Sequence, residues 1–501
     1  MRTLFVSFIT LSLFLVACTV PQPTATATLT PTSAPDLFDT PWEERSLFKS
    51  GLVSSEQSVL NELTNASVYH LEFQIADDLY HITGTEEVRY VNAEEVALNE
   101  VHLRLFPNIL GGEMTVSNVT VDGQSVTPRL ELQESLLIVP LARPLEPDQS
   151  VILQMGFAIT VPQNVELNYG VLSYFDNVLT LAHAYPMIAV YDDEGWNAEV
   201  PPQSGDVAYA DASFYLVKIT APKGVTLVTS GHRIDSGEAG QVQTLRVANG
   251  PARDFYLVAS PDYEEISKTV GEVTIRSYAP QGFEKGSEMA LDVATRSIED
   301  FSARYAPYPY TEFDIVSTPT LALGIEYPGI VAITSRLYDV DSDYRGAPAS
   351  IYMESTVAHE VGHQWFYNLV GGDQLDDPWL DEALTQFVTL QYYADEYGPG
   401  GEEGFRNSLE GRWESVERAD IPIGLPVAEY SGQEYGAIVY GRGPLFFVAL
   451  RQELGTETFD AFIREYTETL SWSIATPEIL QSLAEQHCAC ALDDLFNEWV
   501  Y

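Results

Sequence analysis

The sequence predicts a multidomain α+β protein, in which an antiparallel β domain precedes an α/β domain with a helical C-terminal part. Three observations support this: a length of 501 residues, a period-two apolar pattern in the first half, and a helical apolar pattern in the second. A chain of this length forms roughly two to four domains. We assign residues 1–17 to a signal peptide, 18–50 to a tether, 51–262 to the β domain and 263–501 to the second domain, helical from about residue 400.

The N-terminus has the pattern of a secretory signal. Its apolar run, Leu4 to Ala17, is too short to span a bilayer as a helix. The run ends in Leu15-Val-Ala-Cys18, which resembles the bacterial lipoprotein box, in which the cysteine is lipidated. Residues 19–36 are rich in Thr, Pro and Ala, which is typical of an extended tether. The sequence therefore predicts an extracytoplasmic lipoprotein of the bacterial cell envelope, with Cys18 as its membrane anchor. A secreted protein whose signal contains a cysteine is the alternative.

The charge balance argues against polyanionic partners. Asp and Glu number 73 against 25 Lys and Arg, for a net charge of −48. A surface of this sign repels nucleic acid and anionic lipid headgroups. It is compatible with attraction of cationic peptides and equally with simple solubility.

The β domain is predicted from alternation. Tyr69, Leu71, Phe73 and Ile75 alternate with polar residues, and turn sequences such as Asp122-Gly123 recur. This pattern indicates antiparallel strands with one solvated face.

Helical spacing replaces this pattern after about Tyr263. Apolar residues between Glu284 and Tyr305 recur at helical intervals, and Phe313 to Thr318 reads as a strand. The C-terminal helices are predicted at Gly443 to Leu454, Thr458 to Leu470, Pro477 to Glu485 and Leu492 to Val500.

The chemistry is concentrated in His359-Glu360-Val361-Gly362-His363. Two histidines four residues apart on a helix lie on one face, which is the spacing needed to grip one tetrahedral metal ion. Glu360 stands beside the first histidine, where it can reach a zinc-bound water and act as a general base. A chance surface pair of histidines is the competing interpretation of this pentapeptide.

Glu382 supplies a third ligand. We predict that the histidine helix begins near Ser355 and ends at Gly371-Gly372, and that a second helix begins at Asp377-Pro378 and ends at Gly398-Pro399. If the two helices pack antiparallel, Glu382 returns to the level of the histidines. His359, His363 and Glu382 are therefore predicted to bind one Zn²⁺.

The run Val357-Ala-His-Glu-Val-Gly-His-Gln-Trp-Phe-Tyr-Asn-Leu-Val370, with Trp379-Leu-Asp-Glu382, resembles the zinc aminopeptidases of the aminopeptidase N and leukotriene hydrolase family. Gln364, Trp365 and Asn368 match although zinc chemistry does not require them. Ala383 departs from the glycine common in that family. The resemblance implies a saddle- or sandwich-like N-terminal β domain and a thermolysin-like α/β catalytic domain.

Two further segments resemble the same family. Leu323-Gly-Ile-Glu-Tyr-Pro-Gly329 is similar to its Gly-x-Met-Glu loop, with leucine and isoleucine at two altered positions. This implies substrate binding by Gly324 and Glu326, the latter holding the free α-amine. Ile438-Val-Tyr-Gly-Arg-Gly-Pro444 is similar to its Tyr-x-Lys-Gly motif, which implies that Tyr440 donates to the oxyanion, with Tyr435 as a nearby competitor.

The sequence thus predicts a zinc-dependent aminopeptidase that removes N-terminal residues from peptides with a free amine. A thermolysin-like endopeptidase, or a non-catalytic binding lipoprotein with a peptidase fold, are the alternatives. His183 is a further candidate to face the substrate, although its setting favours an ordinary strand histidine. Cys488 and Cys490 are interpreted as structural thiols, free or bridged, rather than a metal site with His487.

Overall fold

The computed structural model describes residues 37–202, 204–205 and 207–501. The predicted signal peptide, Cys18 and the Thr/Pro-rich stretch lie outside these residues. Within them, no helix combines the length and the apolar character needed to cross a bilayer.

The N-terminal domain is built from strands that surround an apolar core. Its main sheet has eight strands in the order β16-β17-β14-β1-β2-β8-β4-β5, and only the β1–β14 pairing in it is parallel among the described strands. Two four-stranded antiparallel sheets, β15-β18-β10-β9 and β11-β3-β7-β6, and the hairpin β12-β13 complete the domain. The strands are β1 Val68–Ile75, β2 His81–Val91, β3 Leu98–Arg104, β4 Glu113–Val121, β5 Gln124–Ser125, β6 Arg129–Glu131, β7 Leu136–Leu145, β8 Ser150–Thr160, β9 Leu172–Phe175, β10 Val178–Leu181, β11 Met187–Ile188, β12 Tyr191–Asp192, β13 Gly195–Trp196, β14 Ser213–Pro222, β15 Thr226–Thr229, β16 His232–Ala239, β17 Val242–Ala252 and β18 Leu257–Ser260.

The alternation in β1 explains why this sheet has a buried face. Tyr69, Leu71, Phe73 and Ile75 all join one apolar cluster, so the period-two pattern correctly identified the core side of the strand. The predicted fold class, an antiparallel β domain ahead of an α/β domain, is confirmed.

The folded region begins earlier than the tether boundary predicted at residue 50. Leu37–Asp39, Ser46–Gly51 and Gln57–Asn61 form short 3-10 helices. Leu37 and Phe48 are buried in an apolar cluster shared by both domains, in which the ring of Phe48 packs on that of Phe214 in β14. Apolar side chains within this stretch drive its packing, so residues 37–50 are part of the globular structure.

The second domain places a mixed sheet against helices. The sheet order is β19-β20-β21-β23-β22, with parallel pairing at β20–β21 and β21–β23. Its strands are β19 Tyr263–Val270, β20 Val273–Pro280, β21 Glu312–Thr318, β22 Gly324–Tyr327 and β23 Ile330–Thr334, and a separate hairpin joins β24 Asp343–Tyr344 to β25 Ala347–Pro348. The helices are α1 Glu284–Arg304, α2 Ala349–Gly362, α3 Leu384–Glu414, α4 Gly432–Ala437, α5 Gly443–Leu454, α6 Thr456–Thr469, α7 Pro477–Cys488 and α8 Asp493–Trp499.

The histidine helix differs from the prediction at both ends. It begins at Ala349, before the expected Ser355, and ends at Gly362, well before Gly371. The apolar residues beyond Gly362 pack into the core from turns, and Tyr367 has a φ of 150°. Their spacing mimicked a helix although the backbone had already left it.

The second zinc-region helix is also irregular. Trp379–Ala383 forms a π-helical turn that leads into α3, and α3 bends at Gly398, where φ is 64°, instead of ending there. A second π-helical turn, Ile438–Arg442, leads into α5. Such turns occur often at functional sites, and each of these two contains a predicted site residue.

Arg253 joins the two domains. Its buried guanidinium donates to the carbonyl oxygens of Tyr367, Asn368 and Leu369 in the turn after α2, and to that of Ser473. A Cβ on Gly371 would lie 2.3 Å from the guanidinium carbon, so a glycine is needed at this contact. The β domain is therefore fixed against the chain segment that follows the histidines.

Candidate active site

The three predicted ligands meet at one point. His359 lies in the last turn of α2, His363 directly follows the last residue of this helix, and Glu382 lies in the π-helical turn before α3. His359 Nε2 is 3.1 Å from Glu382 Oε2 and 3.1 Å from His363 Nε2, and His363 Nε2 is 3.5 Å from Glu382 Oε2. The antiparallel return of the second helix thus brings Glu382 to the histidines.

This triangle fits a zinc ion. A tetrahedral site with bonds of about 2.0–2.1 Å has ligand atoms about 3.3–3.4 Å apart, close to the three distances above. All three side chains are buried. Two imidazole nitrogens and a carboxylate oxygen are donors that zinc prefers, and three protein ligands leave one position open for chemistry.

Asp381 supports the second histidine. His363 Nδ1 lies 2.6 Å from Asp381 Oδ1, and this contact orients the ring so that Nε2 is directed at the triangle. The sequence-based interpretation assigned no role to Asp381. A carboxylate directly before the ligand Glu382 was the only sequence feature that could have suggested it.

Negative charge accumulates around this triangle. Glu326, Glu360 and His363 place ligand-type atoms within 4.8 Å of one another, as do His359, His363 and Glu382. Burial raises the pKa of Glu326 well above its ordinary value; His363 opposes this shift, whereas Asp381 and Glu360 add to it. Buried carboxylates at this density need cations nearby, and both a zinc ion and a substrate ammonium group would supply them.

Glu360 and Gly324 lie against each other. Glu360 is buried and lines the cleft. A Cβ placed on Gly324 would lie 2.3 Å from Glu360 Oε1 and 2.5 Å from its carboxyl carbon. Gly324 therefore lacks a side chain because the carboxyl group of Glu360 occupies that space.

We expect Gly324→Ala to lower kcat/KM by roughly 100-fold, because it displaces Glu360 by about 1 Å, and misplacements of this size cost about 10²-fold. The measurement is steady-state hydrolysis of amino-acid anilides. Gly237→Ala is a matched control, since its added Cβ would meet nothing within 4 Å. Full activity in the Gly324 variant would contradict this role of the glycine.

Glu326 lies in strand β22, at the edge of the sheet, not in the loop that was predicted. Gln364 stabilises the turn that follows: its side chain donates to the carbonyl of Tyr327 at 3.1 Å and accepts from Gly329 N at 2.9 Å. These two hydrogen bonds give Gln364 a structural role, although zinc chemistry does not require a glutamine directly after His363. It connects the histidine segment to the strand that carries Glu326.

Gln374 links Glu326, the candidate for binding the substrate amine, to Asp381, the partner of His363. Its side-chain nitrogen donates to Glu326 Oε1 at 3.2 Å and to Asp381 Oδ2 at 2.6 Å. All three side chains are buried. Sequence reasoning missed Gln374, because it lies in the loop between the two zinc-region helices and its neighbours in space are distant in sequence.

Tyr440 lies in the second π-helical turn, and its hydroxyl donates to Glu382 Oε1. Arg442 anchors this turn: it donates to Asp420 Oδ1 at 2.9 Å and to the carbonyl of Glu498 at 2.8 Å. The ring of Tyr435 lies 5.6 Å from that of Tyr440 and also lines the cleft. The structure thus brings Tyr440 into contact with the carboxylate of the predicted ligand Glu382.

The two π-helical turns pack directly on each other. A Cβ on Gly443 would lie 2.5 Å from the Cβ of Ala383, so glycine at 443 leaves the space that Ala383 fills. The side chain at position 383, where glycine was expected, is therefore accommodated by Gly443, the first residue after the opposite turn.

The ligand triangle lines one cleft of about 1460 Å³ between the two domains, together with Gly324, Glu326, Glu360 and Tyr440. His183 lines it from the N-terminal domain, outside any strand, and its Nε2 lies 2.9 Å from Asp254 Oδ2. Tyr367 donates to the same oxygen at 2.9 Å. His183 thus belongs to a buried contact between the two domains.

The cysteine pair is a disulfide. Cys488 and Cys490 are bonded across one intervening residue, and His487 Nε2 lies 2.9 Å from Glu465 Oε2. This agrees with bridged structural thiols.

A helix with two histidine ligands and an adjacent glutamate, completed by a glutamate from the next helix, defines the class of zinc metallopeptidases.

Comparisons with known proteins agree with this class. Residues 289–499 match the model of the peptidase family M1 domain. Aminopeptidase M1-B of Oryza sativa subsp. japonica is 28% identical over 270 residues, covering 52% of this chain and 31% of that protein. Endoplasmic reticulum aminopeptidase 1 of Homo sapiens is 26% identical over 250 residues, covering 46% of this chain and 26% of that protein. This chain thus spans about a third or less of the length of these two relatives.

The fold is shared over a larger part of the chain. The crystal structure of an M1 zinc metallopeptidase from Deinococcus radiodurans superposes with a TM-score of 0.64 at 20% identity, covering 91% of this chain and 95% of that one. Residues 289–499 therefore match a peptidase family M1 domain, and the fold of an M1 zinc metallopeptidase extends over most of the chain.

Proposed function

We propose that this protein is a zinc aminopeptidase that removes N-terminal residues from peptides with a free amine. The observation that carries the proposal is the position of Glu326, whose carboxylate lies beside Glu360 and His363 in the same cleft as the ligand triangle. An anionic group at this distance pairs with the α-ammonium of a substrate whose first peptide bond lies at the triangle. The peptide Tyr-Ser-Ala bound as substrate in the D. radiodurans enzyme supports peptides as the substrate class.

The roles of the side chains follow from their positions. We propose a single zinc ion held by His359, His363 and Glu382; when bound, it lowers the pKa of water and polarises the scissile carbonyl. Glu360 takes a proton from the attacking water and passes it to the leaving amine.

Two further side chains complete the mechanism. The hydroxyl of Tyr440 donates to the carbonyl oxygen as it becomes negative, a contribution worth about 10²–10³-fold in kcat for a single donor. Glu326 holds the substrate ammonium, and Gln374 fixes the orientation of this carboxylate through its hydrogen bond to Oε1.

We expect Glu326→Gln to raise KM for peptides with a free amine by about 10- to 100-fold, because a charge-assisted hydrogen bond contributes about 1.5–3 kcal/mol. The measurement compares wild type and variant on a peptide and on its N-acetylated form. The wild type should cleave only the free-amine form.

Glu312→Gln, a partly exposed carboxylate on β21 outside the cleft, is a matched control and should leave KM unchanged. Equal cleavage of the acetylated peptide by the wild type would contradict the proposal and indicate an endopeptidase. A full zinc content with no cleavage of any peptide would indicate a binding protein with a peptidase fold.

We also propose that the protein is an extracytoplasmic lipoprotein tethered to a bacterial membrane through Cys18. The apolar run before Cys18 and the Thr/Pro-rich stretch after it support this. Cys18→Ser should move the protein from the membrane fraction to the soluble fraction and abolish its labelling by radioactive palmitate. Unchanged fractionation of that variant would argue against the anchor.

A further inference from the structure

One wall of the cleft carries an arginine that the proposed mechanism does not use. Tyr352 and Ser355 of α2 face this side of the cavity together with Phe405, Ser408 and Arg412 of α3, and we call these five residues the α2–α3 wall. The bend at Gly398 redirects α3 before this second stretch, so residues after the bend line the cleft as well as those near Glu382.

Arg412 is held at this wall by one main-chain contact. Its Nη1 donates to the carbonyl oxygen of Tyr440 at 3.2 Å, and a Cβ on Gly441 would lie 2.9 Å from the Cβ of Arg412. The close approach at Gly441 sets the stem of Arg412 against the turn that carries Tyr440. The guanidinium is therefore positioned next to the site, not left free in solvent.

Arg412 has no carboxylate within salt-bridge distance among the described residues. On the same helix, Arg406 pairs with Glu402, and Arg418 pairs with Glu410 and Glu414. In a chain with 73 acidic and 25 basic residues, most cations easily find an acidic partner. A half-buried arginine that lines the cleft without one is suited to an anion that arrives from outside.

The position of Arg412 relative to Glu326 indicates where that anion lies. Glu326 groups with Glu360 and His363 on one side of the ligand triangle. Arg412 instead contacts Tyr440, whose hydroxyl contacts Glu382 and whose ring is 6.2 Å from that of His359. A peptide with its amine at Glu326 and its first carbonyl at the triangle continues past Tyr440 towards the α2–α3 wall.

We propose that Arg412 binds a carboxylate on the part of the substrate that follows the scissile bond. This inference rests on the proposed aminopeptidase function and refines its substrate class. The carboxylate is either the C-terminus of a short peptide or an acidic side chain downstream of the first residue. Both are planar anions that the guanidinium can bind through two parallel hydrogen bonds.

Binding measurements in a Glu360→Gln background test this without turnover. Isothermal titration compares Leu-Gly-Gly with its C-terminal amide, and Leu-Glu-amide with Leu-Gln-amide. We expect the form with the carboxylate to bind about 10-fold or more tightly in at least one pair, since such contacts are charge-assisted. The pair that shows the difference identifies the source of the carboxylate.

Adding Arg412→Gln should remove that difference, while affinity for the neutral amides changes little. Arg412→Lys should keep part of it, because the charge remains but the two parallel hydrogen bonds are lost. Arg406→Gln removes the same charge from the same helix outside the cleft and should preserve the whole difference. A folding defect would lower the affinity for the neutral and the carboxylate-bearing peptides alike. The ratio of the two affinities therefore distinguishes loss of carboxylate recognition from loss of structure.

An equal affinity for both members of each pair in the Glu360→Gln protein would overturn the role of Arg412 while leaving the aminopeptidase proposal intact, provided that N-acetylation still abolishes binding. A difference that survives Arg412→Gln but disappears in Arg345→Gln would also overturn it, and would assign the anion to the arginine at the tip of the β24–β25 hairpin. Loss of the requirement for a free amine would refute the aminopeptidase proposal instead.

Discussion

Replacing Glu360 with glutamine is expected to lower kcat by about 10²- to 10⁴-fold, the contribution typical of a positioned general base. The side chain is buried in the cleft, and its carboxyl group fills the space that Gly324 leaves open. Glutamine has the same shape and accepts a hydrogen bond, but it cannot take a proton. The variant should therefore fold normally and bind substrate with a KM close to that of the wild type.

The control for this prediction is the metal content. Glu360 is not among the three ligand atoms of the triangle, so mass spectrometry should find as much zinc in the variant as in the wild type. Glu410→Gln, on the surface of α3, should leave both zinc and kcat unchanged. A Glu360→Gln protein with full zinc and more than about a tenth of wild-type kcat would show that another group moves the proton.

The ligand triangle was predictable from sequence because helix geometry is local. Residues four apart on a helix share a face whatever surrounds them, so His359 and His363 could be placed together without knowing the fold. Glu382 needed one more assumption, an antiparallel return of the chain, and the caps around Pro378 made that assumption reasonable.

The irregular parts of the site were not predictable, because they depend on contacts between segments that are distant in the sequence. Each π-helical turn contains one residue more than an ordinary helical turn. No local feature of the sequences Trp379–Ala383 and Ile438–Arg442 indicates this additional residue. The two turns meet where Gly443, directly after the second turn, packs against Ala383 in the first. This contact is a property of the tertiary structure. Likewise, Glu326 was assigned to a loop because its segment resembles the Gly-x-Met-Glu loop of the family, whereas its pairing opposite Val331 places it in an edge strand.

The contacts of Gln374 and Arg412 show a different limit. Both residues act on groups far away in the chain: Gln374 reaches Glu326, and Arg412 reaches Tyr440. Neither has a local sequence context that distinguishes it from an ordinary polar residue. Only the folded arrangement shows that Gln374 holds the carboxylate of Glu326 and that Arg412 lines the cleft.

Removal of the third predicted ligand, Glu382, should lower peptidase activity at least as much as replacement of the general base, but it should do so by releasing the zinc ion. We expect Glu382→Ala to lose bound zinc and all measurable peptidase activity, because only two nitrogens of the triangle remain and zinc sites of this kind need three protein ligands. Asp381→Asn is the matched change one residue away. It should retain zinc with about 10- to 100-fold weaker affinity, the usual cost of losing a partner of a ligand.

The different effects have a structural reason. Asp381 accepts from both His363 Nδ1 and Gln374 Nε2, and an asparagine has only one oxygen with which to accept. One of these donors would lose its partner, while the ligand nitrogen of His363 would keep its place. Competition with a chromogenic chelator at fixed pH measures both variants on one scale. If Glu382→Ala kept stoichiometric zinc and Glu326→Ala lost it, the metal would lie instead among Glu326, Glu360 and His363, the second group of converging ligand atoms, and Glu326 could not serve as the amine anchor.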